Sequence, residues 1–144
     1  MEIAIIADNT KKELMAQFCI AYCGILSQHN LCATHITGKY ISEATGLDIE
    51  TCLSGSTGGT EQIAARVSYN EIDAVFYFRS TDPSSVIYEG ETDLLRLCDV
   101  HNIPVATNIA TAEALIVAIS QGVIDWRNLL NPKSEYNKKK KKLI

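Results

Sequence analysis

Short apolar runs alternate along the chain with longer segments whose apolar residues recur at helical spacing. Uninterrupted runs of this kind are typical of strands that are buried on both faces of a parallel sheet. The run EIAIIA at residues 2–7 predicts the first strand, and IDAVFYF at residues 72–78 gives the strongest strand signal. The remaining strands are predicted at residues 31–34, 50–53 and 103–107.

The segments between these strands predict the helices. Thr10 with Glu13 forms a capping-box pattern, and apolar residues at helical spacing follow it as far as His29-Asn30. Gly46 is expected to close a short helix over residues 38–46. Further helices are predicted over residues 60–69, 91–101 and 111–121. The alternation predicts a doubly wound α/β sandwich of three layers, with a five-stranded, mostly parallel sheet in the middle.

Residues 1–130 form one predicted domain, and residues 131–144 differ from it in composition. This end is polar and carries an unbroken lysine run from Lys138 to Lys142. We expect a disordered, solvated tail, with binding to an anionic surface as the alternative. The whole chain has 144 residues, of which 47% are hydrophobic, and a net charge of −4. That balance is typical of one globular domain and argues against a nucleic-acid partner.

Targeting and metal-binding signals are weak in this sequence. No apolar run reaches the roughly 18 to 20 residues that span a bilayer, so we expect a cytoplasmic protein without a membrane partner. The five cysteines form no CxxC pair, and their odd number is typical of reduced thiols. Cys19 and Cys23 share a predicted helix face, but only His29 could join them as a metal ligand. The cysteines are therefore expected to serve as small residues of the hydrophobic core. No metal or other cofactor is predicted.

Small polar residues follow two of the predicted strands. Loops at the carboxyl ends of parallel strands are the usual place for ligands in such a sheet. Residues 34–38 contain Thr34 and Thr37, and residues 54–60 read SGSTGGT. Glycine lets the backbone approach a ligand, hydroxyls donate hydrogen bonds, and free amides at a helix start favour an anion. Together with Lys11 the two loops predict a phosphate site, although each loop alone could simply form turns and caps.

Several segments between residues 2 and 121 resemble the methylglyoxal synthase family. The most specific are LSGSTGG and NIPVATNIATA. The resemblance implies a five-stranded doubly wound fold, a hexamer, and conversion of dihydroxyacetone phosphate into methylglyoxal and inorganic phosphate. In that reaction a carboxylate removes a proton beside the carbonyl, a histidine polarises the carbonyl, and phosphate leaves from the enediol.

By this resemblance, the residues that hold the phosphate in the family have counterparts in this chain. Lys11 corresponds to the phosphate lysine, and Thr34 and Thr37 correspond to two threonines of a TGTT loop. Ser54 and Gly55 correspond to an SG pair. The expected partner is therefore a small phosphorylated metabolite or inorganic phosphate.

By the same resemblance, the residues that transfer protons in the family are replaced in this chain. Its catalytic base is the aspartate of a GGD sequence, where this chain has Thr60. A family histidine after the first strand is replaced by Ala7, and the loop after Asp82 is shorter and has no histidine. Asp8 and Asp82 match two acidic positions near the family's site, and Glu61 is the spare carboxylate closest in sequence to Thr60.

Two further changes affect the loop that resembles TGTT. His35 and Ile36 replace a glycine and a threonine, which should make the pocket tighter and less polar. His35 could replace a proton shuttle or add charge to the phosphate site. The sequence thus leaves open a divergent synthase that uses these carboxylates with His35, a regulatory module that binds without chemistry, and a pseudoenzyme subunit beside an active relative. It also leaves open whether Glu89 or Glu91 reaches the pocket.

Overall fold

Five parallel strands form the central sheet of the protein. The computed structural model describes residues 1–143 of the chain. The strands are β1 (Glu2–Ala7), β2 (Asn30–Ala33), β3 (Ile49–Thr51), β4 (Ala74–Phe78) and β5 (Val105–Ala106). Their order is β3-β2-β1-β4-β5, and every neighbouring pair is parallel. The predicted fold class is confirmed, and each predicted strand is present at or near its expected position.

The α-helices connect the strands and cover the sheet. They are α1 (Lys12–Ala21), α2 (Cys23–Leu26), α3 (His35–Thr45), α4 (Gly59–Ser68), α5 (Glu89–Val100), α6 (Ile109–Ser120), α7 (Arg127–Leu130) and α8 (Glu135–Lys142). Gly46 ends α3 in the left-handed conformation with a φ of 74°, as predicted. The start of α3 was predicted three residues too late, because Thr34 is the last extended residue and the helix begins directly after it.

The predicted capping box at Thr10 is wrong. Thr10 lies inside a 3-10 turn over Asn9–Lys11, and Asp8 caps that turn by accepting the Thr10 amide. Helix α1 therefore begins only at Lys12, after the turn. An Asp two residues before an amide is a common turn-forming arrangement, and here it prevails over the Ser/Thr capping pattern.

Each face of the sheet buries its own core. Ile3 and Ile5 of β1 belong to the core under α1, α3 and α6, while Ala4 and Ile6 belong to the core under α4 and α5. Because successive side chains of a strand point to opposite faces, a strand buried on both faces must be apolar throughout. This explains why continuous apolar runs marked the strands.

Three of the cysteines belong to these cores. Cys19, Cys32 and Cys98 are buried, and all five cysteines are free. Burial raises the pKa of each buried thiol to about 12, so these thiols stay protonated at neutral pH. Residues 1–143 contain no group of three His, Cys, Asp or Glu side chains arranged to hold a metal. No helix in the described part of the chain has the length and apolarity needed to cross a membrane.

The C-terminal segment is helical in the structure, where the sequence predicted a disordered tail over residues 131–144. The Ser134 hydroxyl accepts the Asn137 amide at 3.1 Å and so caps α8. The Asn137 side chain donates to three backbone carbonyls, among them that of Asn131 at 2.7 Å. Asn131 itself is fully buried and donates to Asp73 at 3.1 Å. These bonds hold the segment as a helix, in place of the disorder that was predicted. Ile144 lies outside the described residues. The domain boundary at residue 130 stays a prediction.

Candidate functional site

A cavity of about 460 Å³ opens beyond the carboxyl ends of the central strands. The chain runs outward from β1 to β2 and β3, and then returns to place β4 on the other side of β1. A reversal of this kind is where ligands bind in open α/β sheets. The Asp8 amide donates to the Phe78 carbonyl at 2.9 Å and so ties the ends of β1 and β4 together. A larger cavity of about 740 Å³ lies near Glu2 and Asn30 and contains none of the predicted site residues.

The cavity brings together six of the residues singled out from the sequence. They are Asp8, Thr34, Thr37, Ser54, Gly55 and Thr60. These residues come from three loops that are distant in sequence. They meet because the carboxyl ends of β1, β2 and β3 lie side by side in the sheet.

The β2–α3 loop supplies two buried threonines to the cavity. Thr34 is 4% exposed and Thr37 is 2% exposed, and the Thr37 hydroxyl lies 3.5 Å from the Ala7 carbonyl. The first amides of any α-helix have no acceptor within the helix and favour an anion. Of those in α3, the His35 amide donates to the Leu53 carbonyl at 3.2 Å. This bond holds the start of α3 against the next loop.

The glycine-rich loop before α4 is fixed by its own hydrogen bonds. The Gly59 amide donates to the Ser54 carbonyl at 2.9 Å, and the Leu53 amide donates to the Gln62 side chain at 2.7 Å. Gly58 has a φ of 107°, which favours glycine, and a Cβ at Gly59 would overlap the Leu53 carbonyl. The two glycines thus turn the chain sharply, and Thr60, only 2% exposed, lines the cavity.

Lys12 is the lysine that lines the cavity, whereas the sequence pointed to Lys11. Lys11 closes the 3-10 turn, and Lys12 opens α1. Both lysines lie close enough to Asp8 to contribute to its lowered pKa, and Lys12 is the one of the two that lines the cavity.

Asp8 lies at the cavity with its carboxylate already engaged. The Thr10 hydroxyl donates to it at 2.5 Å and the Thr10 amide at 3.0 Å. These bonds, the hydroxyl first and the amide second, hold the pKa of Asp8 below its ordinary value of 3.8, with a smaller contribution from Lys11. A carboxylate with a lowered pKa is a weak base at neutral pH.

Thr10→Val should therefore raise the pKa of Asp8 towards 3.8. Because the folded pKa is the lower one, the stability from this hydrogen bond is present above pH 3.8 and is lost as the pH falls through the folded pKa. The stability difference between wild type and variant should shrink over the same range.

An NMR titration of the Asp8 carboxyl measures the shift. Asp82, whose pKa is lowered by Ser84, serves as the internal control and should not move. An unchanged Asp8 pKa would contradict the assignment.

Glu91 and Tyr77 are the most deeply buried polar residues among those that line the cavity without having been assigned to the site from the sequence. Glu91 is 8% exposed and forms an ion pair with Arg79, with Nε and Oε1 2.6 Å apart. Tyr77 is 8% exposed, and burial, with Glu91 nearby, raises its pKa to about 12. Tyr77 is therefore a hydrogen-bond donor at neutral pH. Of the two glutamates left open above, Glu91 lines the cavity and Glu89 does not.

Four of the sequence-selected residues lie outside the lining, namely Lys11, His35, Glu61 and Asp82. His35 is exposed at the start of α3, and its link to the site is its backbone amide. Glu61 accepts a hydrogen bond from the Tyr88 hydroxyl and lines a different cavity. Asp82 accepts from the Ser84 amide at 2.9 Å and the Ser84 hydroxyl at 2.8 Å in an exposed turn.

The chain is similar in sequence to proteins of one known family. A family model described as the MGS-like domain matches residues 15–107. Methylglyoxal synthase from Caldicellulosiruptor saccharolyticus is 52% identical over 141 residues, which cover 98% of this chain and 100% of the relative. The chain belongs to the methylglyoxal synthase family. Methylglyoxal synthase from Listeria welshimeri is 48% identical over 129 residues, which cover 90% of this chain and 96% of the relative.

A solved structure agrees with this assignment. The crystal structure of methylglyoxal synthase from Elizabethkingia anophelis matches with a TM-score of 0.73 and 32% identity. The matched region covers 80% of this chain and 76% of the chain in that structure. The resemblance to the methylglyoxal synthase family seen in the loops therefore extends through most of the fold.

Proposed function

We propose that this methylglyoxal synthase family member binds a small phosphorylated metabolite, or inorganic phosphate, without converting dihydroxyacetone phosphate at the rate of a synthase. The observation that carries the proposal is that Thr60 lines the cavity where the family resemblance places the base. A threonine hydroxyl is too weak a base to remove a carbon-bound proton at neutral pH. The two carboxylates in the lining, Asp8 and Glu91, are each held by a partner.

The anion-holding side of the pocket supports the binding part of this proposal. Thr34, Thr37 and Ser54 offer hydroxyls, and Lys12 offers a positive charge. The starts of α3 and α4 add first-turn amides other than those of His35 and Gly59, which donate to the Leu53 and Ser54 carbonyls. Donors of this kind recognise a phosphate whether or not a reaction follows.

A divergent synthase is the second candidate. The 52% identity to a methylglyoxal synthase over nearly the whole chain favours it. Glu91 is the carboxylate best placed to act as a base, because it is buried at the cavity. Its ion pair with Arg79 opposes that role, because the carboxylate is already engaged by the guanidinium, with Nε and Oε1 2.6 Å apart. Turnover of dihydroxyacetone phosphate separates this candidate from the first.

Replacing each of the two adjacent lysines separately with methionine tests the binding site. Lys12→Met should weaken phosphate binding by about 10- to 100-fold, because a hydrogen bond to a charged group contributes about 1.5–3 kcal/mol. Lys11→Met is the comparison variant, because the family resemblance assigned the phosphate to Lys11, and it should change the Kd less than about threefold. Isothermal titration calorimetry measures both values. A larger loss for Lys11→Met than for Lys12→Met would contradict the placement of the site.

Resemblance to the family supports a proposal for the assembly and the compartment. We propose a homo-oligomer, a hexamer by resemblance to the family, in the cytoplasm. A pseudoenzyme subunit paired with an active relative is the alternative assembly. Sedimentation velocity of the purified chain gives its oligomeric state, and mass spectrometry of the protein isolated from its source identifies any second subunit.

A further inference from the structure

The mouth of the cavity carries exposed apolar side chains. Ile36 is 50% exposed, Val86 is 92% exposed and Tyr88 is 46% exposed, and all three line the cavity. Single exposed apolar residues are common, but a group at the rim of a ligand cavity marks a surface that a ligand or partner can cover. A triose phosphate has little apolar surface to place there.

The floor of the same cavity is polar and buried. Thr34, Thr37 and Thr60 are each at most 4% exposed. Ile36 and Thr37 are neighbours at the start of α3, yet one is half exposed and the other is buried. The cavity therefore has an inner end suited to a phosphate and an outer end suited to an apolar group.

The size of the cavity and the position of Tyr88 agree with this division. A volume of about 460 Å³ falls within the range of about 300–1,000 Å³ that is typical of pockets for drug-sized ligands. The Tyr88 hydroxyl donates to Glu61, which orients the ring at the mouth. An aromatic ring held in this way can pack against a flat apolar group.

We infer that the ligand of this site is a phosphate monoester with an apolar or aromatic body, larger than a triose phosphate. The inference rests on the proposed function, because it assumes that the phosphate binds at the inner end. The phosphate contacts the buried threonines and the helix starts. The body of the ligand covers Ile36, Val86 and Tyr88.

Calorimetry with inorganic phosphate, dihydroxyacetone phosphate and phenyl phosphate tests the inference. Phenyl phosphate should bind at least about tenfold more tightly than dihydroxyacetone phosphate, because burying the ring removes apolar surface from water. In Ile36→Thr and Val86→Ser the ratio of the two Kd values should fall towards one. Both residues are at least half exposed, so the folding of either variant should change little. Val123→Ser, at an exposed valine outside the cavity, is the matched control and should leave the ratio unchanged.

The outcomes separate this inference from the proposed function. If none of the three compounds binds, the proposed function is wrong. If phosphate binds and phenyl phosphate binds no more tightly than dihydroxyacetone phosphate, only the inference is overturned. If phenyl phosphate binds more tightly and neither Ile36→Thr nor Val86→Ser reduces the ratio, the apolar contacts are wrongly assigned and the inference fails.

Discussion

Replacing Arg127 with methionine is expected to lower the free energy of unfolding by about 3–5 kcal/mol. Arg127 is fully buried, and its Nε lies 3.2 Å from Oδ1 of Asp73. Its other donors reach the carbonyls of Ile72 at 3.0 Å and His101 at 3.3 Å. Removing the guanidinium leaves the Asp73 carboxylate, which is 1% exposed, without its countercharge. Because small domains are stable by only about 5–15 kcal/mol, this loss is large.

Urea denaturation measures the loss, and Arg96→Met is the matched control. Arg96 also forms an ion pair, with Asp93 at 3.2 Å, but its side chain is 70% exposed. An exposed pair contributes about 0–1 kcal/mol, so the control should remain close to wild type. A second variant that adds Asp73→Asn to Arg127→Met should recover part of the loss, because it removes the uncompensated charge. A loss below about 1 kcal/mol in Arg127→Met would contradict this account.

Thr60→Asp is expected to raise the rate of methylglyoxal formation about 100-fold over wild type. A positioned general base contributes about 10² to 10⁴ in rate. We expect the lower end of this range, because the resemblance indicates that other proton-transfer groups of the family are also replaced, and such contributions are not additive. Position 60 suits a carboxylate because it lies in the first turn of α4, where the helix favours a negative charge.

Ala65→Asp is the control for this gain. Ala65 belongs to the same helix, α4, but is exposed and does not line the cavity. It should leave the rate at the wild-type value. The gain in Thr60→Asp should appear in kcat, since the base acts in the chemical step. If Thr60→Asp folds, binds phosphate and shows no gain, position 60 does not limit the reaction.

The sequence predicted the sheet well because its strands are buried on both faces. The run IAIIA at residues 3–7 leaves no polar position, and a run of this kind is hard to place elsewhere in a fold. The polar composition of the loops after β2 and β3 also predicted where Thr37, Ser54 and Thr60 would meet. For these residues, local sequence and the parallel topology were enough.

The remaining features depend on contacts or on exact register. Arg127 and Asp73 are 54 residues apart, and nothing local in the sequence indicates that they pair. The helix α8 depends on a side chain, Asn137, that reaches back to carbonyls 6 to 9 residues earlier. That Lys12 lines the cavity was not indicated by the sequence, because a short 3-10 turn moves the start of α1 to that residue. Glu91 was left open because only the path of the loop before α5 brings it into the cavity.

The most direct test of the central claim measures binding and turnover on one preparation of the wild-type chain. We predict that dihydroxyacetone phosphate raises the free energy of unfolding, by about 2.7 kcal/mol at a ligand concentration of one hundred times the Kd. The same preparation should form methylglyoxal no faster than a buffer blank. Turnover in the ordinary enzymatic range of about 1–10³ s⁻¹ would contradict the claim.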